Sequence, residues 1–391
     1  MMNREAPRGV IVGAGIAGLA TALRLRRAGW DALVIERAPA RRSSGYMVNL
    51  VGQGYDAAAR LGVLEALRPH DIGWFTSILT RSDGTEKFTV PSAVAQAAVG
   101  DRALTVFRGD LESVLYDAVS RDADIRFGTT VHDIAQDADG VDITLSDGTR
   151  ERADLLVGAD GLHSAVRDLV FDADSDCRVD LRHMVAAFPL FRLPEEVPNG
   201  AGTTFIGVRR TAAVVNLGPG RSSAFFTYRT DDPEAALRDG PVRALTTTFG
   251  DLSGGVPDVL DQLETDPTTA YFDSVSQIVL DRWSSGRVVL MGDAAWCVTP
   301  FAGYGAALAL DGADRLGIAL SGDTDISEAL RRWEIQLRPE VRKRQALARR
   351  GAMQFAPPTK AHIWISDLML RAIQIPGIRG MVERSIRRAN H

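Results

Sequence analysis

The stretch that most narrows the fold is RGVIVGAGIAGLATALRLRRAGWDALVIER, residues 8–37. Val10–Val12 is a wholly apolar run, as in a strand covered on both faces of its sheet. Ile16, Leu19, Ala20 and Leu23 then recur at helical spacing. DALVIE, residues 31–36, reads as a second buried strand ending in Glu36. Together they form a βαβ unit with Gly13-x-Gly15-x-x-Gly18 at its first turn. Gly13 permits the tight turn, Gly15 lets a pyrophosphate approach the backbone, and Gly18 lets the helix pack closely on the strand. The helix N-terminus offers free N–H groups and a partial positive charge to phosphates. Glu36 stands where a carboxylate accepts hydrogen bonds from ribose hydroxyls. The unit predicts dinucleotide binding and leaves FAD and NAD both open.

The remainder is too long for one small domain: 391 residues allow two or three packed units. A hydrophobic content of 45% and a net charge of −5 fit a globular α/β protein and argue against nucleic acid as a partner. Two cysteines, Cys177 and Cys297, and six histidines without ligand spacing predict no metal site and no disulfide framework. The uncharged run Gly9–Leu23 is broken by glycines, and Ala294–Leu310 by a proline and two glycines. Stable membrane insertion is therefore not expected, and the reading is a soluble, cytoplasmic protein.

Along the chain, residues 56–68 read as helical, ILTRSDGTEKFTV (78–90) as a hairpin, and FRGDLESVLYDAVSR (107–121) as a helix. From about 175 to 270, strand-like runs separated by Gly/Pro/Ser turns predict an antiparallel sheet. Residues 330–391 read as mostly helical, interrupted at Pro339, Pro357-Pro358 and Pro376. The expected class is mixed α/β and α+β. A discontinuous Rossmann-like nucleotide-binding domain (1–75, 100–174 and 275–330) is interleaved with an antiparallel-sheet substrate domain (76–99 and 175–274), and a C-terminal helical segment (331–391) follows.

Two further junctions carry acids. In LLVGADGLHSAVR (155–167) an apolar strand opens into Asp160, which serves equally as a helix cap. His163 and Ser164 after it read as a helix start. In MGDAAWCVTPFAGYGAALALDGADRL (291–316) a strand ends in Asp293, and a glycine-bearing loop precedes a helix starting near Tyr304, with Leu308, Gly312, Ala313, Leu316 and Leu320 on one face. The start of that helix would present free N–H groups to something electron-rich.

In this order and at these separations the three segments resemble the flavin-dependent aromatic hydroxylases, the para-hydroxybenzoate hydroxylase-like group A monooxygenases. GADGLHSAVR is similar to the family's DG motif, GDAAWCVTPFAGYGAALALDGA to its GD motif, and FRGDLESVL to its R-x-x-L-x-x-x-L helix. GYMVNLVGQGYDAAARLGVLEAL (45–67) resembles members acting on polyketide and tetracycline-like molecules. The resemblance covers residues 8 to about 320. It implies FAD as cofactor, with Gly13, Gly15, Ile16, Ala17 and Gly18 at the pyrophosphate, Glu36 at the adenosine ribose with Arg37 beside it, and Arg108 at the phosphate or ribityl region. It further implies backbone near adenine at Val131, Asp160 near FAD, Asp293 on the ribityl hydroxyls, and N–H groups of Gly303, Gly305 and Ala306 at the pyrimidine edge. Trp296 and Ala307 depart from the His and Asn of many relatives, and Trp296 then reads as a wall residue.

The activity implied is monooxygenation. NAD(P)H reduces FAD, O2 adds to give a C4a-hydroperoxide, and one oxygen passes to a small phenolic or polyketide-like aromatic ring. The flavin carries the chemistry, so no side chain is singled out as catalytic. Other flavin chemistry on the same fold (Baeyer–Villiger oxygenation, oxidase, reductase) and a non-catalytic binding protein are the alternatives. Tyr46, Met47, Phe225, Tyr228, Pro300 and Phe301 are candidates for the substrate pocket. Either a monomer or a homodimer is compatible with the sequence.

Overall fold

A computed structural model describes residues 6–41, 46–93, 96, 102–171, 177–322 and 325–373. Gly45, the C-terminal end of the expected 76–99 segment, Pro376 and His391 lie outside the described residues. The opening unit forms as its pattern requires: strand β1 (Arg8–Val12), helix α1 (Ile16–Arg27) and strand β2 (Asp31–Glu36). β1 pairs in parallel with β2 on one side and with β11 (Leu155–Gly158) on the other, with Val10 opposite both Leu33 and Leu156. β7 (Asp124–Phe127), β18 (Val288–Leu290) and β17 (Ser284–Ser285) complete a six-stranded sheet in the order β17-β18-β11-β1-β2-β7. Val10, Ile11, Val34, Leu156 and Val289 are fully buried, the signature of a sheet covered on both faces.

The glycines act through contact. Gly13 sits at φ 108°, and a Cβ there would fall 2.4 Å from the Ala159 carbonyl oxygen. A Cβ on Gly18 would fall 1.8 Å from the carbonyl oxygen of Gly13. Two small excursions flank this sheet. One is the pair β3 (Met47–Val51) and β6 (Ala103–Phe107); the other is the ladder of β8 (Val131–Gln136), β9 (Val141–Leu145) and β10 (Arg150–Ala153). The helical run expected at 56–68 is broken at Gly62, φ 61°, into α2 (Gln53–Arg60) and α3 (Leu64–Leu67). Helix α4 (Arg108–Val119) follows β6, and α5 (Ala165–Val170) follows β11.

A second sheet has seven strands. It contains β12 (Arg178–Pro189), β13 (Ala201–Gly207), β14 (Arg210–Asn216), β15 (Ser223–Arg229) and β16 (Tyr271–Ile278), with the hairpin β4 (Thr76–Thr80) and β5 (Glu86–Val90). The order is β16-β12-β15-β14-β13-β4-β5, antiparallel except where β13 meets β4. β16 extends this sheet to Ile278, and the chain rejoins the six-stranded sheet at β17. Strand alternation divides its side chains between two faces. Met184, Phe188, Phe226 and Tyr228 pack under α6 (Pro233–Phe249, broken at Gly240) and α7 (Val256–Thr265). Val185 and Phe225 face the other way, towards Phe301 and Phe355.

The chain then runs through the turn α8 (Asp293–Trp296), α9 (Gly305–Leu320), α10 (Ile326–Phe355) and α11 (Lys360–Ile373). Buried Asp314 of α9 pairs with Arg24 of α1 at 3.1 Å and with Arg60 of α2, which clamps three helices together. Pro339 does not interrupt α10 as expected. Its ring removes the hydrogen bond to the Ile335 carbonyl, but both residues are exposed, so water satisfies that carbonyl. The unbroken helix, about 45 Å long, touches both sheets. Trp283 N–H donates to Glu334 at 2.9 Å near one end, and Gln345 Nε2 donates to the Ile278 carbonyl at 2.7 Å farther along. Among the described residues no helix is long and apolar enough to cross a membrane.

Candidate functional site

Parallel strands deliver their carboxyl ends to one edge, where open α/β sheets bind ligands. β1 ends at Gly13–Gly15, β2 at Glu36, β11 at Asp160 and β18 at Asp293. Glu36 is held beside the glycine turn, its carboxylate accepting the Ala14 N–H at 2.9 Å and the Ala38 N–H at 2.7 Å. Val131 lies nearby, because the Thr129 N–H donates to the Glu36 carbonyl at 3.1 Å. Arg37 is exposed. α1 starts at Gly15 with no side-chain cap and no acid in its first turn, so the N–H groups of Ile16 and Ala17 keep their donor capacity. A Cβ on Gly15 would meet nothing nearer than Arg108 Nη2 and Glu112 Oε1, each at 4.0 Å.

Arg108 opens α4 and pairs with Glu112 one turn on, at 2.9 Å. Burial works against its charge, but Tyr46, Glu112 and Asp293 outweigh that and raise its pKa. Asp293 lies deep in the molecule, yet its side chain is exposed, the condition of an acid on the floor of a cleft. Its depth raises its pKa, while Arg108 and the Cys297 thiol oppose the rise. The Tyr46 and Tyr271 rings, 5.7 Å apart, stand against this pair, and burial raises the pKa of both phenols. Met47 beside Tyr46 is half-buried.

The loop after Asp293 is strained. Thr299 sits at φ 78°, a region costly for a β-branched residue, and its buried hydroxyl has no hydrogen-bond partner among the described residues. Pro300 is exposed, and Phe301 stacks on Phe355 at 4.9 Å. α9 begins at Gly305 without a side-chain cap or an acid in its first turn, and Arg344 packs on the Tyr304 ring just before it. A Cβ on Gly305 would meet nothing within 4 Å, and one on Gly303 only Asn49 Nδ2 at 4.0 Å. Ala306 follows in the same first turn.

This donor set fits a dinucleotide bearing a polyol and an electron-rich ring. Two helix starts are free of competing acids, one carboxylate is held at each end, and the glycines between them leave bare backbone. Asp160 is employed differently: its carboxylate accepts Ser164 Oγ at 2.5 Å and the Ala165 N–H at 2.7 Å, so it caps α5. Tyr228 corrects the substrate-pocket expectation. It is three residues from Phe225, and a two-residue period turns it to the opposite face, where it packs on Phe249 at 6.1 Å. Trp296 is likewise no wall residue. It is buried 4.7 Å from Trp283 and 5.8 Å from Trp333, beneath Gly312 of α9. Ala307 packs on Gly54 of α2, where an added Cβ would fall 2.3 Å from the Ala307 Cβ. Glu112 was readable from its spacing to Arg108. Tyr271 and Thr299 had no sequence signal.

The chain matches the FAD binding domain family over residues 8–323. It is 30% identical over 331 residues to the aurachin C monooxygenase/isomerase of Stigmatella aurantiaca, covering 83% of each chain. Two solved structures are similar throughout. Tetracycline destructase Tet(51) has a TM-score of 0.83 at 26% identity, with 98% of each chain covered. Klebsiella pneumoniae HpxO complexed with FAD and uric acid has a TM-score of 0.81 at 26% identity, covering 97% of this chain and 96% of that one.

Proposed function

The chain belongs to the FAD binding domain family of flavin-dependent monooxygenases, and from that premise we propose that it hydroxylates a small planar aromatic compound with NAD(P)H and O2. Bound FAD supplies hydride acceptance and oxygen activation, chemistry that no amino-acid side chain provides. The chain's part is placement, charge and exclusion of water. In this reading the N–H groups at the start of α1 hold the pyrophosphate, and Glu36 takes the adenosine ribose. Asp293 accepts from the ribityl hydroxyls while Arg108 balances its charge. The N–H groups of Gly305 and Ala306 would serve the pyrimidine edge, where the positive end of α9 would stabilise negative charge, whereas the Gly303 N–H, expected there too, donates to the Pro300 carbonyl at 3.0 Å and closes the turn before α9. The six-stranded sheet and its excursions form the cofactor domain, and the seven-stranded sheet forms the substrate domain. Its inner face, with Phe225, Phe301, Phe355 and Tyr271, shields the reacting ring from water.

The observation that carries this reading is Asp293, deep yet exposed at the carboxyl end of β18, with the Arg108 charge acting on it. The aromatic lining of the inner face, and the uric acid in the HpxO complex, support a flat small-molecule substrate. The test is aerobic turnover with NADPH and a panel of phenols and N-heteroaromatics under 18O2. A product heavier by one labelled oxygen on a ring carbon is expected. Labelled oxygen inserted into a carbon–carbon bond, or a desaturated product without label, would reassign the chemistry within the flavoenzymes. A purified protein that takes up no FAD would overturn the assignment of the cleft.

A further inference from the structure

His183 lies on β12, on the face turned towards Phe301, and is 6% exposed. Its Nδ1 is 2.6 Å from the Leu181 carbonyl. A carbonyl only accepts, so Nδ1 carries the proton and Nε2 holds a free lone pair. That Nε2 is buried and has no hydrogen-bond partner among the described residues. Buried polar atoms without partners are rare and call for an explanation. Burial lowers the pKa of His183 and Arg229 and Arg209 lower it further, while the bond to the Leu181 carbonyl and the Asp180 charge oppose without reversing the fall.

The backbone is built to put the ring there. The pairing of β12 with β16 slips between Asp180 and Met184, and Arg182 inside the slip adopts φ 56°. Bulges re-aim side chains beside active sites, and a non-glycine residue in the left-handed region is strain held by its surroundings. The imidazole stands at 80° to the Phe301 ring, 5.5 Å between centroids. Phe301 is on the loop that leaves Asp293. With Phe355 and Phe225 it forms an aromatic wall, and the His183 ring, whose Nε2 is an acceptor without a donor among the described residues, stands edge-on beside it.

We propose that His183 positions the substrate: its Nε2 accepts a hydrogen bond from a ring hydroxyl or ring N–H of a planar molecule lodged against Phe225, Phe301 and Phe355. This deepens the hydroxylase reading and rests on it. It names the substrate class as rings that carry a donor, and it predicts rejection of the same rings with that donor methylated. A site made to bond a hydroxyl discriminates against analogues lacking it far more strongly than an apolar pocket does.

The test uses the FAD-loaded protein with phenol and its methyl ether anisole as probes. Affinity is read from the visible flavin band, and the state of the ring from 15N resonances of labelled histidine, with His183 assigned by its loss in His183→Gln. Phenol is expected to bind at least about tenfold more tightly than anisole and to shift the Nε2 resonance, which anisole leaves in place. His183→Phe should hold FAD normally and bind both probes equally. His183→Gln, which keeps an acceptor oxygen, should retain part of the preference. Equal affinities in the native protein, an unmoved Nε2 resonance, no binding of either probe, or a preference intact in His183→Phe would each overturn the proposal. If His183→Phe fails to fold, the native protein's resonance shift decides. Failure to hold FAD would count against the flavoenzyme reading itself and is seen before any probe is added.

Discussion

Gly15 and Gly18 belong to one motif, yet alanine at each should fail in a different way. At Gly15 the backbone is at φ −81°, which alanine adopts freely, and the added Cβ meets nothing within 4.0 Å. The apoprotein should therefore be as stable as the native one, or more stable by roughly 0.4–1 kcal/mol through the loss of unfolded-state freedom. The methyl instead projects into the space beside Arg108 proposed for the pyrophosphate. An overpacking cost of about 1–3 kcal/mol, felt only when ligand is bound, weakens FAD by roughly 5- to 150-fold. At Gly18 the new Cβ falls 1.8 Å from the Gly13 carbonyl oxygen, where real Cβ atoms keep at least 3.0 Å, so α1 must move by at least about 1.2 Å. That cost, about 1–3 kcal/mol or more, is present with or without ligand. Urea unfolding of the apoproteins separates the two, because the midpoint falls in Gly18→Ala and holds in Gly15→Ala. Quenching of flavin fluorescence on titration then gives the FAD affinities. A Gly15→Ala protein that binds FAD like the native one, or unfolds as early as Gly18→Ala, would refute the placement of the pyrophosphate.

Asp293→Asn should weaken FAD retention and stabilise the apoprotein at neutral pH. The folded-state pKa of Asp293 is raised, so the native state binds more protons than the unfolded state above the ordinary carboxyl value, and stability falls as pH rises through the folded pKa. The amide removes that loss, and urea midpoints at acid and neutral pH check it. Trp333→Phe deletes the buried bond from Nε1 to the Gly312 carbonyl, 3.0 Å in length, and should lower stability by about 1–3 kcal/mol with FAD content unchanged. Phe225→Ala should alter binding of aromatic ligands, whereas Tyr228→Ala, on the far face, should cost roughly 3–5 kcal/mol of stability and leave ligand affinity alone, as parallel urea and ligand titrations would show.

The cofactor half is legible in the sequence because its rules concern backbone. A glycine that would collide with a carbonyl at 1.8 Å has no substitute, and the spacing of such glycines survives in the one-dimensional text. The acids at strand ends are readable for the same reason, although Asp160 shows that an acid at the right place can be spent capping a helix. The substrate half is less legible. Alternation announces that β15 has two faces, but nothing in AFFTYR says which of Phe225 and Tyr228 looks inward. That depends on α6 and α7, which arrive later to cover one face. The place of Trp296 is not legible either, because its partners, Trp283 and Trp333, are brought together only by folding. The effect of Pro339 is hidden in the same way, because its cost depends on whether one carbonyl meets water. His183 had no marker at all, since its significance lies in a bond that the folded chain leaves unmade.

The interleaving of the two sheets also sets a schedule for synthesis. β1 begins at Arg8 and β18 at Val288, so about 280 residues are made between the first strand of the central sheet and the strand that pairs with β11. At roughly 5–20 residues per second, that is about 14–56 s on the ribosome. Through that interval first the edge of β1 waits for β11, and from Leu155 onward the apolar edge of β11 waits for β18; Gln345, whose amide ties α10 to Ile278, emerges later still. The nascent chain must therefore carry an unpaired hydrophobic strand edge for most of its synthesis, the period in which chaperones are needed and in which a premature stop yields an aggregating fragment rather than a working cofactor domain.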